Sequence, residues 1–376
     1  MPISLESEST SASRRPKYVR LAEQFREQVR AGTLVPGQQL PSFSTMQAEY
    51  GIGQATLERT YAILEEERLI VRHHGRGIFV AGTLPAATRH TLGIVADSKF
   101  RDHPYFNHVL KGAHRESERL GLEVMLLHDN SDLSWDKIDG LLWMSGFIPP
   151  QALPKFMPIV QVISSAGDLP AVVADDYGGA RHATEHLLSL GHRRIAFLTQ
   201  GRLPTKLERG GERLSNQRVS GYVDALRAVG VEPLPAWVRP LRAHWQPIFP
   251  FPEMGRLRIQ EWLDTDWDEL GCTAILAQND ETAVGVVEAF QASGRRVPED
   301  VSVVGFDGYE IADFFRPRLT TIQVPLEEIG AQGTRLLIQK MRGEMTAGET
   351  DTVVTLPTTL RLGDSTAAPR LLEVEA

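Results

Sequence analysis

Residues 294–308 read GRRVPEDVSVVGFDG. Val301–Phe306 is a short, almost wholly apolar run, and Asp307-Gly308 ends it. A run of this length with no apolar–polar alternation predicts a strand buried on both faces, the pattern of parallel sheet. The same kind of run occurs at Leu92–Ala96, Glu123–Leu127, Gly140–Trp143, Ile159–Val162, Val172–Ala174, Ile195–Leu198 and Ala274–Ala277. Stretches of helical periodicity near residues 104–120, 177–190, 215–229, 281–294 and 325–342 alternate with them. Strand–helix alternation predicts an α/β body of Rossmann-like parallel sheets with helices on both faces. So many strands exceed one core, so residues 91–365 are expected to form two similar lobes, followed by a tail at 366–376. Open α/β sheets bind ligands at the carboxyl ends of their strands. Asp97, Asp175, Asn279-Asp280 and Asp307 each follow an apolar run and are therefore ligand candidates.

Upstream the rhythm is different. Residues 1–13 are rich in Ser, Thr and Glu, with little to bury, and are expected to be a disordered tail. From Lys17, Leu21, Phe25 and Val29 recur every four residues on one helix face, and Gly32 stops that helix. Ser42 is placed to cap a second short helix that Gly51 ends. A third begins near Gln54 and carries Leu57, Tyr61 and Leu64. Two β-prone runs, Ile70–Arg72 and Ile78–Val80, flank His73-His74-Gly75-Arg76-Gly77 and predict a hairpin. Three short helices and a hairpin describe a winged helix-turn-helix over residues 14–82, with residues 83–90 as linker.

In such a domain the second helix of the pair enters the major groove by its N-terminal residues. Gly53, Gln54, Ala55, Thr56, Glu58 and Arg59 occupy that end, with Ser42 and Ser44 on the preceding helix. Gln pairs bidentately with adenine, and Ala or Thr methyls meet the methyl of thymine. His74, Gly75 and Arg76 at the wing tip suit phosphate or minor-groove contact.

Charge agrees with this division. Residues 14–82 hold ten Lys/Arg and seven Asp/Glu, a net of +3, while the chain as a whole carries -8. A slightly basic head on an acidic body points to an anionic partner for the head. No apolar run approaches the ~20 residues of a membrane span, and the first residues do not form a signal peptide. The single cysteine, Cys272, has no internal partner, so a cytoplasmic protein is expected. No metal-ligand spacing, phosphate-binding glycine loop or nucleophile elbow is found, so no metal, no cofactor and no enzymatic activity are expected.

Two resemblances sharpen these expectations. The head resembles the GntR family of bacterial regulators through Tyr18, Gly32, Leu34, Pro36-Gly37, Leu40-Pro41-Ser42, Gly51-Ile52, Thr56-Leu57, Leu64-Glu65, Leu69-Ile70 and Gly75–Val80. It departs from that pattern at Phe43-Ser44, where Glu-Arg is common. Gly53-Gln54 replaces the usual Ser-Arg, and Glu58 stands where a basic residue is common. Several arginines that would grip phosphate or guanine are missing, so the resemblance does not give the operator sequence; a Gln-led helix suits A·T steps, and Glu58 suits acceptance from cytosine. The body resembles the effector-binding half of LacI/GalR regulators, which is similar to periplasmic sugar-binding proteins. That likeness rests on Asp139-Gly140, His186-Leu187, Leu190–Phe197, Arg218 with Gly221-Tyr222, Asn279-Asp280, Gly294–Asp307 and Leu319–Ile322. A GntR-like head on such a body resembles AraR-like sugar regulators.

The resemblance implies a two-lobed clamshell with a small ligand, most often a sugar, between its lobes. It puts Asp280 and Arg218 first among ligand contacts, followed by Asp97, Phe106, Asp175, Phe306, Asp307 and Gln323. Chemistry concurs: sugar hydroxyls need acceptors and donors, and a sugar ring needs an aromatic face. Asp175 and Asp307 have a second reading, as helix caps or hinge braces, and Phe306 has one as core. Trp143 reads as core, Cys272 as an inert thiol, and His186 and His192 as structural. The segment from His128 to Ile138 is shorter than the family's, so the first lobe is expected to lack a helix there. The Pro- and aromatic-rich segment 233–252 reads either as a cleft-side loop or as a packed surface loop. Together these imply a homodimeric, ligand-responsive repressor of operator DNA with no membrane association. The alternatives are an activator, a purine-responsive regulator, and a sugar sensor that does not bind DNA.

Overall fold

The computed structural model describes residues 16–30, 33–35, 37–67, 69–73, 77–81, 90–96, 103–128, 137–144, 157–165, 169–199, 214–241, 251–342, 344 and 352–370. The tail 1–13, linker residues 83–89, Gly32, the wing-tip residues 74–76, residues 129–136 after His128 and residues 242–250 were read from sequence and lie outside these residues.

The head contains α1 (Lys17–Arg30), α2 (Phe43–Tyr50), α3 (Gln54–Glu66) and an antiparallel hairpin of β1 (Ile70–His73) and β2 (Gly77–Val80). Ser42 caps α2, its hydroxyl accepting from the Thr45 N–H at 3.1 Å, and Gly51 closes it in the left-handed conformation at φ 62°. Only a residue without Cβ takes that conformation without strain. The apolar faces predicted from spacing converge: Leu21, Phe25, Leu57, Tyr61 and Leu64 are buried together with Ile70, Ile78 and Val80. The Phe25 and Phe43 rings meet Tyr61 edge-on.

The rest of the chain alternates strands and helices. In order it runs β3 (Thr91–Ala96), α4 (Pro104–Arg119), β4 (Glu123–His128), β5 (Gly140–Trp143), β6 (Ile159–Val162), β7 (Ala171–Ala174), α5 (Asp176–Ser189) and β8 (Ile195–Thr199). It continues with α6 (Leu214–Ala228), β9 (Val238–Pro240), α7 (Phe251–Thr265), α8 (Trp267–Leu270), β10 (Ala274–Ala277), α9 (Asp280–Ala292) and β11 (Ser302–Asp307). Last come α10 (Ile311–Phe314), β12 (Thr320–Gln323), α11 (Leu326–Met341), β13 (Val353–Leu356) and β14 (Thr359–Arg361). The eight strands expected from sequence all form, each within a residue of its predicted bounds. The strands β9, β12, β13 and β14 and the helices α7, α8 and α10 were not anticipated.

The chain divides into two compact units. The first comprises residues 1–98, 113–171 and 331–352; the second comprises 99–112, 172–330 and 353–376. In the first, parallel strands run in the order β6-β5-β3-β4. One face packs Val95, Leu127, Leu141, Trp143 and Ile159 into a core. Trp143 is therefore core, as its sequence position suggested. In the second unit the order is β14-β12-β11-β10-β8-β9, parallel except for β14. Its core gathers Trp237, Trp262, Trp267 and Phe290 with the apolar side chains of α9 and β10. Cys272 is buried there, and burial pushes its thiol up to about 12, so it stays protonated and inert. His192 ties the C-terminal segment down: Nδ1 lies 2.8 Å from Thr273 Oγ1 and Nε2 lies 2.9 Å from the Ala367 carbonyl. Ala367, in the stretch read as a C-terminal tail, is held by this contact.

Candidate functional site

The carboxyl ends of β7, β10 and β11 assemble a buried charged cluster in the second unit. Arg218, on α6, is its centre and is 8% exposed. Its Nε donates to Asp176 Oδ1 at 2.8 Å, and its Nη1 donates to the Gln278 carbonyl at 2.5 Å. The guanidinium carbon stands 3.6 Å from the centroid of the Phe306 ring. Nη2 lies 3.8 Å from Asp307 Oδ1, beyond direct hydrogen-bond reach.

Local structure explains why these groups meet. Asp175 ends β7 and caps α5, its Oδ1 accepting from the Gly178 N–H at 2.8 Å. That places Asp176 in the first turn of α5, buried, where it meets Arg218. Phe306 and Asp307 end β11, and Asp307 pairs in register with Gln323 of β12. Asp307 has φ 101°, a conformation costing a non-glycine residue of order 1–3 kcal/mol, and such strain clusters at ligand clamps. Burial drives both carboxyls upward, Asp307 well above the ordinary range, and the charge of Arg218 opposes the shift in each.

An aromatic rim adjoins the cluster. Tyr105, in the first turn of α4, is held neutral: burial raises its hydroxyl, and the charges of Asp307 and Asp176 raise it further. The His103 ring packs edge-on to Phe106, Phe251 and Tyr309 at 5.5–6.4 Å between centroids. Its Nε2 lies 3.3 Å from Glu281 Oε2. A cavity of about 350 Å³ opens beside Asp307 and Gln323, with Tyr309, His108, Glu310 and Arg361 on its wall.

The remaining sequence candidates take other places. Asn279 is the N-cap of α9 and accepts from the Thr282 N–H at 2.8 Å. Asp280 is fully buried, with Oδ1 2.5 Å from Thr321 Oγ1 and Oδ2 accepting from the Gly308 N–H at 2.7 Å. It joins the first turn of α9 to the loop after β11 and to β12. Asp175 is likewise engaged as a cap. Asp97 lies outside the described residues. Sequence reasoning passed over Asp176, Tyr105, His103, Glu281 and Tyr309. The Asp175-Asp176 pair did carry a signal, because a capping Asp commits the next residue to the first helical turn.

In the head, Gly53 precedes α3 as its N-cap and supplies no side-chain cap. Gln54, Ala55, Glu58 and Arg59 are exposed, and Thr56 is half-buried. Gln54 Nε2 donates to Glu58 Oε1 at 3.0 Å. The Arg59 guanidinium sits 5.8 Å from the Tyr18 ring centroid. Ser44 is exposed, its hydroxyl 2.8 Å from that of Ser42. His74, Gly75 and Arg76 lie outside the described residues. Among those residues no group of His, Cys, Asp and Glu is arranged to hold a metal ion, and no helix is long and apolar enough to cross a membrane.

Comparison with known proteins accounts for both ends of the chain. Residues 17–80 match the model of bacterial regulatory proteins of the gntR family, and residues 184–366 match a periplasmic binding protein-like domain. The arabinose metabolism transcriptional repressor of Geobacillus stearothermophilus is 27% identical over 350 residues, covering 86% of this chain and 91% of the relative. The HTH-type transcriptional repressor CytR of Escherichia coli strain K12 is 30% identical over 258 residues, covering 64% of this chain and 70% of the relative. A solved complex of the transcriptional regulator CelR with cellobiose superposes with a TM-score of 0.62 at 25% identity, covering 85% of this chain and 94% of that one. Head, body and relatives agree: the chain belongs to the non-enzymatic, DNA-binding transcription regulators that join a gntR-type helix-turn-helix to a LacI-type, periplasmic-binding-protein-like effector domain.

Proposed function

We propose that this repressor is controlled by a neutral sugar held at the Arg218 cluster. The observation that carries the reading is the open donor–acceptor pair of Arg218 and Asp307 beside the Phe306 ring. A hydroxyl reaches both groups across that 3.8 Å gap, accepting from Nη2 and donating to Oδ1, and each charge-assisted bond is worth roughly 1.5–3 kcal/mol. Phe106 and Tyr105, both half-buried, offer ring faces to the apolar side of a pyranose or furanose, while Phe306, buried beneath Arg218, backs the guanidinium. Asp307 and Gln323 are ligand contacts in this reading, whereas Asp175, Asn279 and Asp280 hold the scaffold. An arabinose repressor and a cellobiose complex among the relatives support a sugar over other small polar ligands. The head, residues 14–82, binds operator DNA; residues 91–365 bind the sugar and form the homodimer, in the cytoplasm.

A thermal-shift screen tests this with arabinose, glucose, cellobiose and, as the competing class, adenosine and guanine. A ligand at a hundredfold its Kd stabilises the fold by about 2.7 kcal/mol. The expected result is a rise with one sugar that Arg218→Lys and Asp307→Asn each abolish while DNA binding persists. A lysine keeps the charge beside Asp176 but cannot make the fork. A rise with adenosine or guanine alone, or a sugar response untouched by both substitutions, overturns the reading.

A further inference from the structure

The recognition helix carries a carboxylate where one is costly. Every phosphate of a bound duplex repels Glu58, which is exposed on the same face as Gln54, one turn along. An exposed i,i+4 pair stabilises a helix by only a few tenths of a kcal/mol, too little to explain an acid there. The geometry of the pair gives it another use. A carboxylate only accepts hydrogen bonds, so the Gln54 amide must turn its NH2 toward Glu58, as the 3.0 Å Nε2–Oε1 contact records. This biases the Gln54 amide toward one of its two orientations. One N–H is engaged by Glu58, leaving the second N–H and the carbonyl oxygen as a fixed donor–acceptor pair.

That pair has one full match in the major groove. Adenine presents an acceptor at N7 beside a donor at N6, whereas guanine presents acceptors at both N7 and O6. A flippable glutamine compromises between them; an oriented one does not. We infer that Glu58 is a positioning residue that locks the Gln54 amide to read adenine, and that the pair sets one position of the operator half-site. Arg59 is drawn onto Tyr18 of α1 and Thr60 is buried, its hydroxyl donating to the Thr56 carbonyl at 2.8 Å. Gln54 and Glu58 are thus exposed together on the first turns of α3, with the methyl of Ala55 beside them and the exposed Arg59 leaning toward Tyr18.

Selection of duplexes from a random-sequence library by the full-length protein starts from no assumed operator. The expected wild-type site has adenine at one position of each half, favoured over guanine roughly five- to a hundredfold, the range of a bidentate contact. Gln54→Ala erases that preference and leaves the other positions intact. Glu58→Ala relaxes the same position toward guanine while affinity for all DNA rises, since a repulsive charge is gone. Glu58→Gln, whose carbonyl oxygen accepts from Gln54 but whose amide can also turn and donate, restores the adenine preference only in part. A purely structural role for Glu58 would leave the selected bases unchanged, and this result overturns the inference. So does a change at a neighbouring cytosine in Glu58→Ala, which would make Glu58 a base reader itself. If the wild-type protein enriches no sequence, DNA recognition by this head fails and the inference falls with it. If it enriches a site indifferent to both substitutions, the inference alone falls.

Discussion

At the scale of single residues, Asp280 gives the fold a pH dependence. It is fully buried, and burial raises its carboxyl to about 7, with Thr321 and the Gly308 N–H partly opposing the shift. The ordinary value is 3.8. Between these values the unfolded chain has lost its proton while the folded chain keeps it. The folded state thus binds more protons, so stability falls as pH rises from about 4 to 7. A shift of roughly three units corresponds to about 4 kcal/mol over that window. Asn mimics the protonated acid, with its amide N–H toward Thr321 Oγ1 and its carbonyl oxygen toward the Gly308 N–H. Asp280→Asn is therefore expected to match the wild type in urea melts near pH 4 and to exceed it by a few kcal/mol at pH 8. A mutant weakened equally at both pH values would mean that the ionised form is the one the fold uses. Much of the candidate site was legible at this scale: Asp307 ends a strand and Arg218 lies in a helix that sequence patterns locate, while Phe306 and Gln323 were named through the family resemblance, Gln323 on a strand that no pattern announced. Asp176 was not, because two adjacent aspartates after β7 differ only in which one caps the helix. His103, Tyr105, Glu281 and Tyr309 were not, because their roles depend on contacts among segments far apart in sequence.

Elements show the same division between local and distant causes. Strands β3, β5, β6, β10 and β11 are mostly apolar and were read directly. Strand β13 alternates exposed and half-buried residues, and β9 ends in Pro240, so neither offers the apolar run that marks an interior strand. Helix α7 was hidden by Pro252 and Gly255, residues that ordinarily argue against a helix. The glycine is there for packing. Helices α7 and α9 cross so closely that a Cβ on Gly255 would stand 2.4 Å from the Thr282 carbonyl, and one on Gly285 would stand 1.8 Å from the Pro252 carbonyl. Neither obstacle is a flexible side chain, so the helices themselves must part. Gly285→Ala is expected to cost at least about 2–3 kcal/mol in denaturant melts, even though alanine favours the helix by itself. Gln291→Ala, on the exposed side of the same helix, is expected to stay within about 0.5 kcal/mol of the wild type. Equal, small effects at both positions would show that the crossing is looser than the backbone approach indicates.

For the molecule as a whole, the order of segments along the chain decides which pieces can stand alone. The apolar core of the head is drawn wholly from residues between Leu21 and Val80. A piece of about 70 residues with its own core is marginal but sufficient to fold. The body is different. The chain passes between its two compact units after residues 98, 112, 171, 330 and 352, so no single cut separates them. The first unit needs residues 331–352: Gly333 packs against Val162 and Leu142, Gly140 against Leu337 and Met341, and Arg335 lies 3.3 Å from Glu116. Three fragments test this arrangement by circular dichroism and thermal melting. Residues 14–82 and residues 90–376 are each expected to melt cooperatively, the larger one retaining its thermal response to the sugar. Residues 90–171 are expected to show no cooperative transition, because they hold strands β3 to β6 without the helix α11 that covers them. Cooperative folding of 90–171 would mean that the first unit owes little to α11. Failure of 90–376 would mean that the body depends on the head. A head and body that fold separately can be joined in evolution by an exchange of either part, which accounts for one chain matching a gntR-family model at one end and LacI-type effector domains over the rest.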